Sequence, residues 1–477
     1  MANLQIWQNG QCTVWAFEPP ATLSAILEAA GKSGRHPCGG RGTCGKCAVT
    51  LSGDVSTPND AEAAAGTRLA CQAQVLGDAQ VFLPTFAAEQ IETTTIPISI
   101  GKPMQGQIGA AVDIGSTTIA LRRYDLTDGR LLGQASIVNP QTSVAADVIG
   151  RIDAAMHGQL EKLCNQINNA VHTLLHQAGG NVDCMVITGN TTMLYLLTGR
   201  DPTPLSRAPF QADTLFDTMW GDCYLPPCMH AFVGADISCA VLASGMCDSS
   251  QTTLLCDIGT NGEIALWKNG KLYVTSTAAG PAFEGAGIAC GCSSVAGAID
   301  RVWTENGQIC VHTIADAPAV GLCGSGLIDA LASLLQLELM DETGALDEDE
   351  VVLAPGVNLL QKDIRAVQLA KAAISAGIAT LLEVSGTSCE EITCFYLAGG
   401  FGSHLNTHSA GVIGLFPAVL ASKVHVLGNA ALAGASQILL DHDSLSKVRR
   451  ITACAIHQDL GGSPSFNNYY MENMFFQ

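Results

Sequence analysis

The sequence predicts two folded units in series: a small α+β roll over residues 1–88 and, after a linker at 89–107, a two-lobed α/β unit over 108–477. Three observations carry that prediction. Apolar runs at Leu4 to Trp7 and Thr13 to Phe17, joined around Asn9-Gly10, read as a hairpin, and Leu23, Ile26, Leu27 and Ala30 then recur at helical spacing. From Ile108 onward, glycine turns separate apolar strands from Ala/Leu-rich helices, the alternation of an α/β unit. A strand–Asp-Ile-Gly–strand segment also occurs twice, as AVDIGSTTIAL at Ala111 to Leu121 and LCDIGTNGEIAL at Leu255 to Leu266. Asp113 and Asp257 lie 144 residues apart, about one domain length, so a duplicated core divides the unit into lobes at 108–250 and 251–477.

The remaining elements follow in order. Thr22 is placed to N-cap the first helix and Gly31 to end it. A loop rich in glycine and cysteine follows, then AVTL and AQVFLP as strands. The linker is rich in Thr, Ile and Pro without helical period, so it reads as extended chain. GLCGSGLIDALASLL (Gly321 to Leu335) is a glycine turn feeding an apolar helix, its small residues suited to close packing between domains. AVQLAKAAISAGIATLL (Ala366 to Leu382) is a further helix, the acidic stretch Asp341 to Glu350 is solvated surface, and YLAGGFGSHL (Tyr396 to Leu405) is a strand ending in a Gly-Gly turn before a helix.

Composition bounds the function. Of 477 residues, 48% are hydrophobic, which excludes disorder. Only 14% are charged, and 43 acidic against 23 basic residues give a net charge of −20, which argues against nucleic acid and anionic membrane as partners. The start, MANLQIWQNG, lacks the basic and apolar regions of a signal peptide. The one long charge-free window, Ile392 to Ser422, is broken by Gly399-Gly400, Asn406, two histidines and Pro417, so it reads as core and loop. A soluble cytoplasmic protein is expected.

Nineteen cysteines in a reducing compartment point to metal ligands and small core hydrophobes rather than disulfides. Cys38, Cys44, Cys47 and Cys71 read C-x5-C-x2-C-x23-C, three of them inside PCGGRGTCGKC. Four thiolates suit a 2Fe-2S cluster or zinc; zinc usually takes two CxxC pairs, which this spacing does not supply. Cys12, Cys164, Cys184, Cys239, Cys256, Cys310, Cys394 and Cys454 sit in apolar runs and read as packing residues. Cys223/Cys228 and Cys290/Cys292 lack a four-ligand spacing.

The two Asp-Ile-Gly segments suggest nucleotide. Gly115 and Gly259 let the backbone approach a phosphate, Ser116, Thr117, Thr260 and Asn261 offer donors, and Asp113 and Asp257 can hold Mg2+ directly or through water. One such turn occurs in ordinary hairpins; two copies a domain apart can clamp a phosphate chain from both sides. Gly399-Gly400 would let a base and ribose lie flat against the backbone. Glu263 and Glu284, near these loops, are candidates to position attacking or metal-bound water, against the plainer reading of surface or cap carboxylates. His172, His176, His404 and His408 read as helix-surface or satisfied residues.

The cysteine spacing resembles the adrenodoxin-like ferredoxins, with a β-grasp fold, over residues 1–88. The order phosphate loop, phosphate loop, glycine-led helix, adenosine loop resembles the actin-like (ASKHA) ATPases, whose lobes are duplicated RNase H-like folds; no Walker P-loop or Rossmann fingerprint competes with it. The pairing resembles the reductive activators of corrinoid proteins, as do NPQTSVAADVIGRI (Asn139 to Ile152), VITGNTTML (Val186 to Leu194), TAAGPAFEGAGIACG (Thr277 to Gly291), VLGNAALAGA (Val426 to Ala435) and SFNNYYMENMFF. The resemblance implies an ATP-hydrolysing oxidoreductase carrying a 2Fe-2S cluster on the four cysteines and Mg-ATP on Asp113, Gly115, Ser116, Thr117, Asp257, Gly259, Thr260, Asn261, Gly399 and Gly400. It further implies a Co(II) corrinoid protein or similar low-potential metalloprotein as client, an upstream electron donor and a possible homodimer. Larger members of this family carry an additional middle domain before the ATPase, and the short linker implies that it is missing here. Cys454 alone excludes the branch with a C-terminal four-iron cluster. The alternatives are an ATP-gated donor to another low-potential metalloenzyme, a small-molecule kinase, or a redox-sensing ATP-binding regulator.

Overall fold

Strand Ala2–Gln8 pairs antiparallel with Gln11–Phe17, with Gln8 opposite Gln11 and Gly10 at φ +74, a two-residue hairpin as the sequence requires. In this computed structural model the described residues are 1–8, 10–32, 42, 47–59, 62–63, 67–83, 96, 98, 100–400 and 405–476. The hairpin adds to strands Gln74–Phe82, Ala48–Val55 and Arg68–Leu69 in one sheet, Ala2–Gln8 running parallel to Gln74–Phe82. Helix Leu23–Ala29 lies against it, N-capped by the Thr22 hydroxyl, which accepts from Ala25 N. Ala30 is its C-cap, with Gly31 one place further on at φ +68. Leu23, Ile26 and Leu27 fill the small core with Leu4, Ile6, Val75 and Val81. Cys12 departs from expectation: its strand is the sheet's edge and is exposed along nearly its whole length, so this thiol faces solvent.

The larger unit holds two six-stranded sheets that share one plan over five strands, the sixth lying at opposite edges: Thr218–Trp220 beside Cys223–Leu225 in the first, Ala455–His457 beside Lys271–Thr277 in the second. In the first, Ile108–Ile114 is flanked on one side by antiparallel Thr118–Asp125 and Leu131–Val138, and on the other by parallel Cys184–Gly189 and Cys223–Leu225. In the second, Thr253–Ile258 is flanked by antiparallel Gly262–Lys268 and Lys271–Thr277, and by parallel Cys394–Ala398 and Val424–Gly428. The repeated segment thus supplies the central hairpin of each sheet.

Three apolar layers alternate with the two sheets. The outer face of the first packs on helix Leu160–Gln177, whose Leu163, Ile167, Val171 and Leu174 recur at helical spacing. The outer face of the second packs on helices Gly324–Gln336 and Gln361–Ser385. Between the sheets lie helices Ala235–Ser244 and Ala430–Leu440, one from each lobe, within a shared core. A Cβ on Gly434 would sit 2.0 Å from Cys239 O, so glycine there lets the two backbones touch. The glycines of GLCGSG serve a different purpose from the one expected: a Cβ on Gly326 would meet Ile299 O at 2.2 Å and one on Gly321 would meet Cys290 O at 2.7 Å, so they pack within the second lobe.

Helix Gln361–Ser385 is long and apolar enough to cross a membrane, but most of its apolar stretch is buried inside the fold. Within the window Ile392 to Ser422 lie strand Cys394–Ala398 and helix Thr407–Val412. His172 and His176 are exposed on helix Leu160–Gln177 and His408 is exposed on helix Thr407–Val412, while His404 lies outside the described residues.

Candidate functional site

Two places carry chemistry. In the first unit, Cys47 Sγ and Cys71 Sγ lie 3.3 Å apart with no disulfide between them. Cys38 and Cys44 lie outside the described residues. A tetrahedral metal with ~2.3 Å metal–sulfur bonds sets neighbouring sulfurs about 3.7 Å apart, so this pair fits two thiolates converging on one iron. Gly42, at φ +75, lies over Gln72, where a Cβ would come within 2.9 Å of that side chain. Gln72 Nε2 is in turn 3.8 Å from the Cys71 sulfur. Glu62 braces the approach to Cys71, accepting from Leu69 N at 2.7 Å and pairing with Arg68 at 3.4 Å. Burial raises the Glu62 carboxyl, but the N–H groups of Leu69 and Asn59 and the Arg68 guanidinium outweigh it and hold the carboxyl below its ordinary range.

The second place is the cleft between the lobes. Asp113 and Asp257 occupy the same position in the two sheets: Asp113 stands opposite Ala120 and Thr188, Asp257 opposite Glu263 and Ala398. The turns after them meet at one side chain. Glu284 accepts from the Thr117 hydroxyl at 2.7 Å and from the Thr260 hydroxyl at 3.0 Å, so one carboxylate spans both loops. Gly115 N donates to Thr118 O and Gly259 N to Asn261 O, closing each turn. A Cβ on Gly399, at φ +86, would strike Asp257 Oδ1 at 2.3 Å, so this turn presses directly on the carboxylate. Gly400 follows it, exposed.

Residues that local pattern reading did not single out hold the first loop. Asn139 Nδ2 donates to Gly115 O at 2.8 Å, and Asn190 Nδ2 to Ser116 Oγ at 3.1 Å. Arg151, fully buried, donates to Ser116 O at 2.5 Å and to Ala145 O at 3.0 Å. Burial lowers the Arg151 guanidinium to about 10, against the pull of Asp147 and Glu284. Asp236, in the first turn of helix Ala235–Ser244, adds another carboxylate to the cleft, and Asn429 Nδ2 reaches from the second lobe to Asp113 Oδ2 at 2.9 Å. The available signal was capping chemistry: Asn139, Asn190 and Asn429 each stand just before a helical turn, and each side chain accepts a backbone N–H there.

The electrostatics are one-sided. Burial raises Asp113 to about 6 despite the Asn429 bond, and burial with the charges of Asp113 and Glu284 raises Asp257 to about 7. Burial and the same two aspartates push Asp236 up, and burial with Asp236 and Asp257 pushes Glu263, 7% exposed, well above its ordinary range. Carboxyl groups gathered this way call for a divalent cation. Among the described residues no three His, Cys, Asp or Glu side chains form a cage for one. Mg2+ needs none, since one or two carboxylates hold it with phosphate oxygens and water completing its shell.

Three family profiles match the chain: a 2Fe-2S iron–sulfur cluster binding domain over 8–76, the middle region of RACo over 108–249, and the C-terminal domain of RACo, the ASKHA domain, over 251–477. The corrinoid activation enzyme RamQ of Eubacterium limosum is 35% identical over 420 residues, covering 77% of this chain and 70% of that protein. The chain is a member of the RACo family of reductive activators. A Methanosarcina barkeri protein named as a reductase of the Co(II) methylated-amine-specific corrinoid protein is 30% identical over 272 residues, covering 52% of this chain and half of its own length. The solved structure of a reductive activator for corrinoid, iron–sulfur protein superposes with a TM-score of 0.72 at 26% identity, covering 100% of this chain and 98% of the other. The family's middle region falls on 108–249, the stretch built here around the first large sheet, so the expectation of a missing middle domain is corrected. The N-terminal roll is a 2Fe-2S ferredoxin domain and the rest of the chain includes an actin-like ASKHA domain.

Proposed function

We propose that this chain is an ATP-dependent reductive activator, passing an electron from its 2Fe-2S cluster to the Co(II) corrinoid protein of a methyltransferase system and so restoring Co(I). The observation that carries the reading is the union, in one chain 35% identical to a corrinoid activation enzyme, of a cluster-binding domain and a two-lobed acidic cleft. Cys38, Cys44, Cys47 and Cys71 hold the cluster, which supplies a one-electron carrier near about −400 mV. Co(II) corrinoid lies lower, and each ~59 mV of uphill gap costs tenfold in yield for one electron, so cluster reduction alone leaves little Co(I).

Hydrolysis in the cleft supplies the missing drive. Asp113 and Asp257 would hold Mg2+, and the loops at Gly115, Ser116 and Thr117 and at Gly259, Thr260 and Asn261 would receive the phosphates. Gly399 and Gly400 leave a flat surface for base and ribose. Glu284 would release its two threonine donors to the incoming phosphate chain and accept from the attacking water, with Glu263 and Asp236 placed to accept from water around the cation. The remaining assignments are a cytoplasmic setting, an upstream donor that reduces the cluster, and a homodimer. The test is to reduce the protein anaerobically, mix it with a Co(II) corrinoid protein and follow Co(I) absorbance with and without Mg-ATP. Accumulation only with Mg-ATP is expected; equal Co(I) in both refutes the coupling, and no Co(I) with ATP still hydrolysed refutes the client.

A further inference from the structure

Helix Ala430–Leu440 touches the nucleotide cleft at one end and the linker at the other. At its start, the Asn429 side chain has two bonds in opposite directions: its Oδ1 accepts from Leu432 N at 2.7 Å, capping its own helix, and its Nδ2 donates to Asp113 at 2.9 Å. At its end, Leu439 O and Leu440 O accept from Met104 N and Gly101 N, both at 3.0 Å. Asp441 Oδ1 accepts from Lys102 N at 3.1 Å, and His442 N donates to Lys102 O at 2.5 Å. A Cβ on Gly101 would lie 2.5 Å from that same Asp441 oxygen, so the linker backbone is fitted to the helix end. Ile96, Ile98 and Met104 pack on the core to which this helix belongs. Eleven residues at ~1.5 Å each separate the two contacts by about 16 Å.

We infer that this helix couples occupation of the nucleotide cleft to the seating of linker residues 100–104, and that Asn429 is the positioning residue through which it does so. The inference rests on the nucleotide reading above. Asn429 is tied to its own helix and cannot follow Asp113 alone: when Asp113 turns to a cation, either the bond breaks or the helix moves with it as a rigid body. Gly434, backbone to backbone with Cys239, sets the pivot, and the partner helix there carries Asp236. These four hydrogen bonds, with a fifth from Lys102 Nζ to Asp443 Oδ2 at 3.3 Å, lie on the chain that bears the ferredoxin domain, so their making or breaking sets how far that domain travels from the cleft.

The test is hydrogen exchange in the full-length protein, read by mass spectrometry over residues 100–107, with and without Mg-AMP-PNP. In the unaltered chain, saturation with the analogue changes exchange at Gly101 and Met104 by about five-fold or more, the lower end of ordinary coupling between sites. In Asn429→Ala, with Mg-AMP-PNP raised until titration calorimetry shows the site saturated at whatever affinity the variant has, the change is lost. In Asp441→Ala, remote from the cleft, ATP hydrolysis stays within about two-fold while ATP-dependent Co(I) formation falls about five-fold or more. If Mg-AMP-PNP does not bind the unaltered protein, the nucleotide reading falls and the coupling with it. If it binds and exchange over 100–107 is unchanged, the coupling alone is overturned; so too if Asp441→Ala keeps full ATP-dependent Co(I) formation.

Discussion

Replacing Asp257 with asparagine should stabilise the protein above neutral pH while abolishing its turnover. The carboxyl is raised from an ordinary 3.8 to about 7 by burial and by the charges of Asp113 and Glu284. At ~1.36 kcal/mol per pK unit, keeping it ionised at pH 8 costs on the order of 4 kcal/mol, or about 2 kcal/mol after discounting for solvent that reaches it through the cleft. The folded-state value lies above the unfolded one, so this group's contribution is complete below about pH 4 and is lost as pH rises through about 7. An amide has no such titration. Asp257→Asn should therefore melt about 3 °C higher than the unaltered protein at pH 8 in calorimetry without nucleotide, with the advantage shrinking as pH falls and gone by about pH 4. Its Mg-ATP hydrolysis should fall by about 100-fold or more. A variant that melts lower at pH 8, or that keeps its ATPase rate, would sink the account of this residue as a desolvated carboxylate awaiting a cation.

Glu284→Gln retains one acceptor for the Thr117 and Thr260 hydroxyls and loses the charge between them, so ATP hydrolysis should drop by about 100-fold in a steady-state assay. Cys71→Ser should remove the visible absorbance of the cluster and Co(I) formation together, while ATP hydrolysis stays within about two-fold. Arg151→Ala leaves the Ser116 and Ala145 carbonyls without their buried donor, and should cost about 3 kcal/mol by urea denaturation and weaken nucleotide binding measured by titration calorimetry.

Sequence legibility followed the range of the interaction. The first hairpin and helix are local, decided by Gly10, Thr22 and four spaced apolar residues, and they form as read. The duplicated strands were visible because the repeat preserves the Asp-Ile-Gly turn in each. Thr117, Thr260 and Glu284 are each legible by type and position, but that one carboxylate bridges both loops depends on how two sheets face each other. Asp236, Asn429, Asn139, Asn190 and Arg151 reach the cleft from segments far away in sequence. Their short-range role, capping or joining a helix, explains them without any ligand. Cys12 is exposed for a related reason: an apolar run does not say whether its strand will be central or at the edge.

The inner pair of helices has a bearing on symmetry. Helix Ala235–Ser244 follows the parallel strand Cys223–Leu225 of the first sheet as Ala430–Leu440 follows the parallel strand Val424–Gly428 of the second, and the two meet glycine to backbone between them. Equivalent elements touching each other across a midline form a self-complementary contact, the geometry of a twofold dimer. The lobes thus meet as two copies of one element meet across a twofold axis. The two halves differ where each helix begins: Asn429 stands before one, reaching Asp113, and Asp236 lies in the first turn of the other.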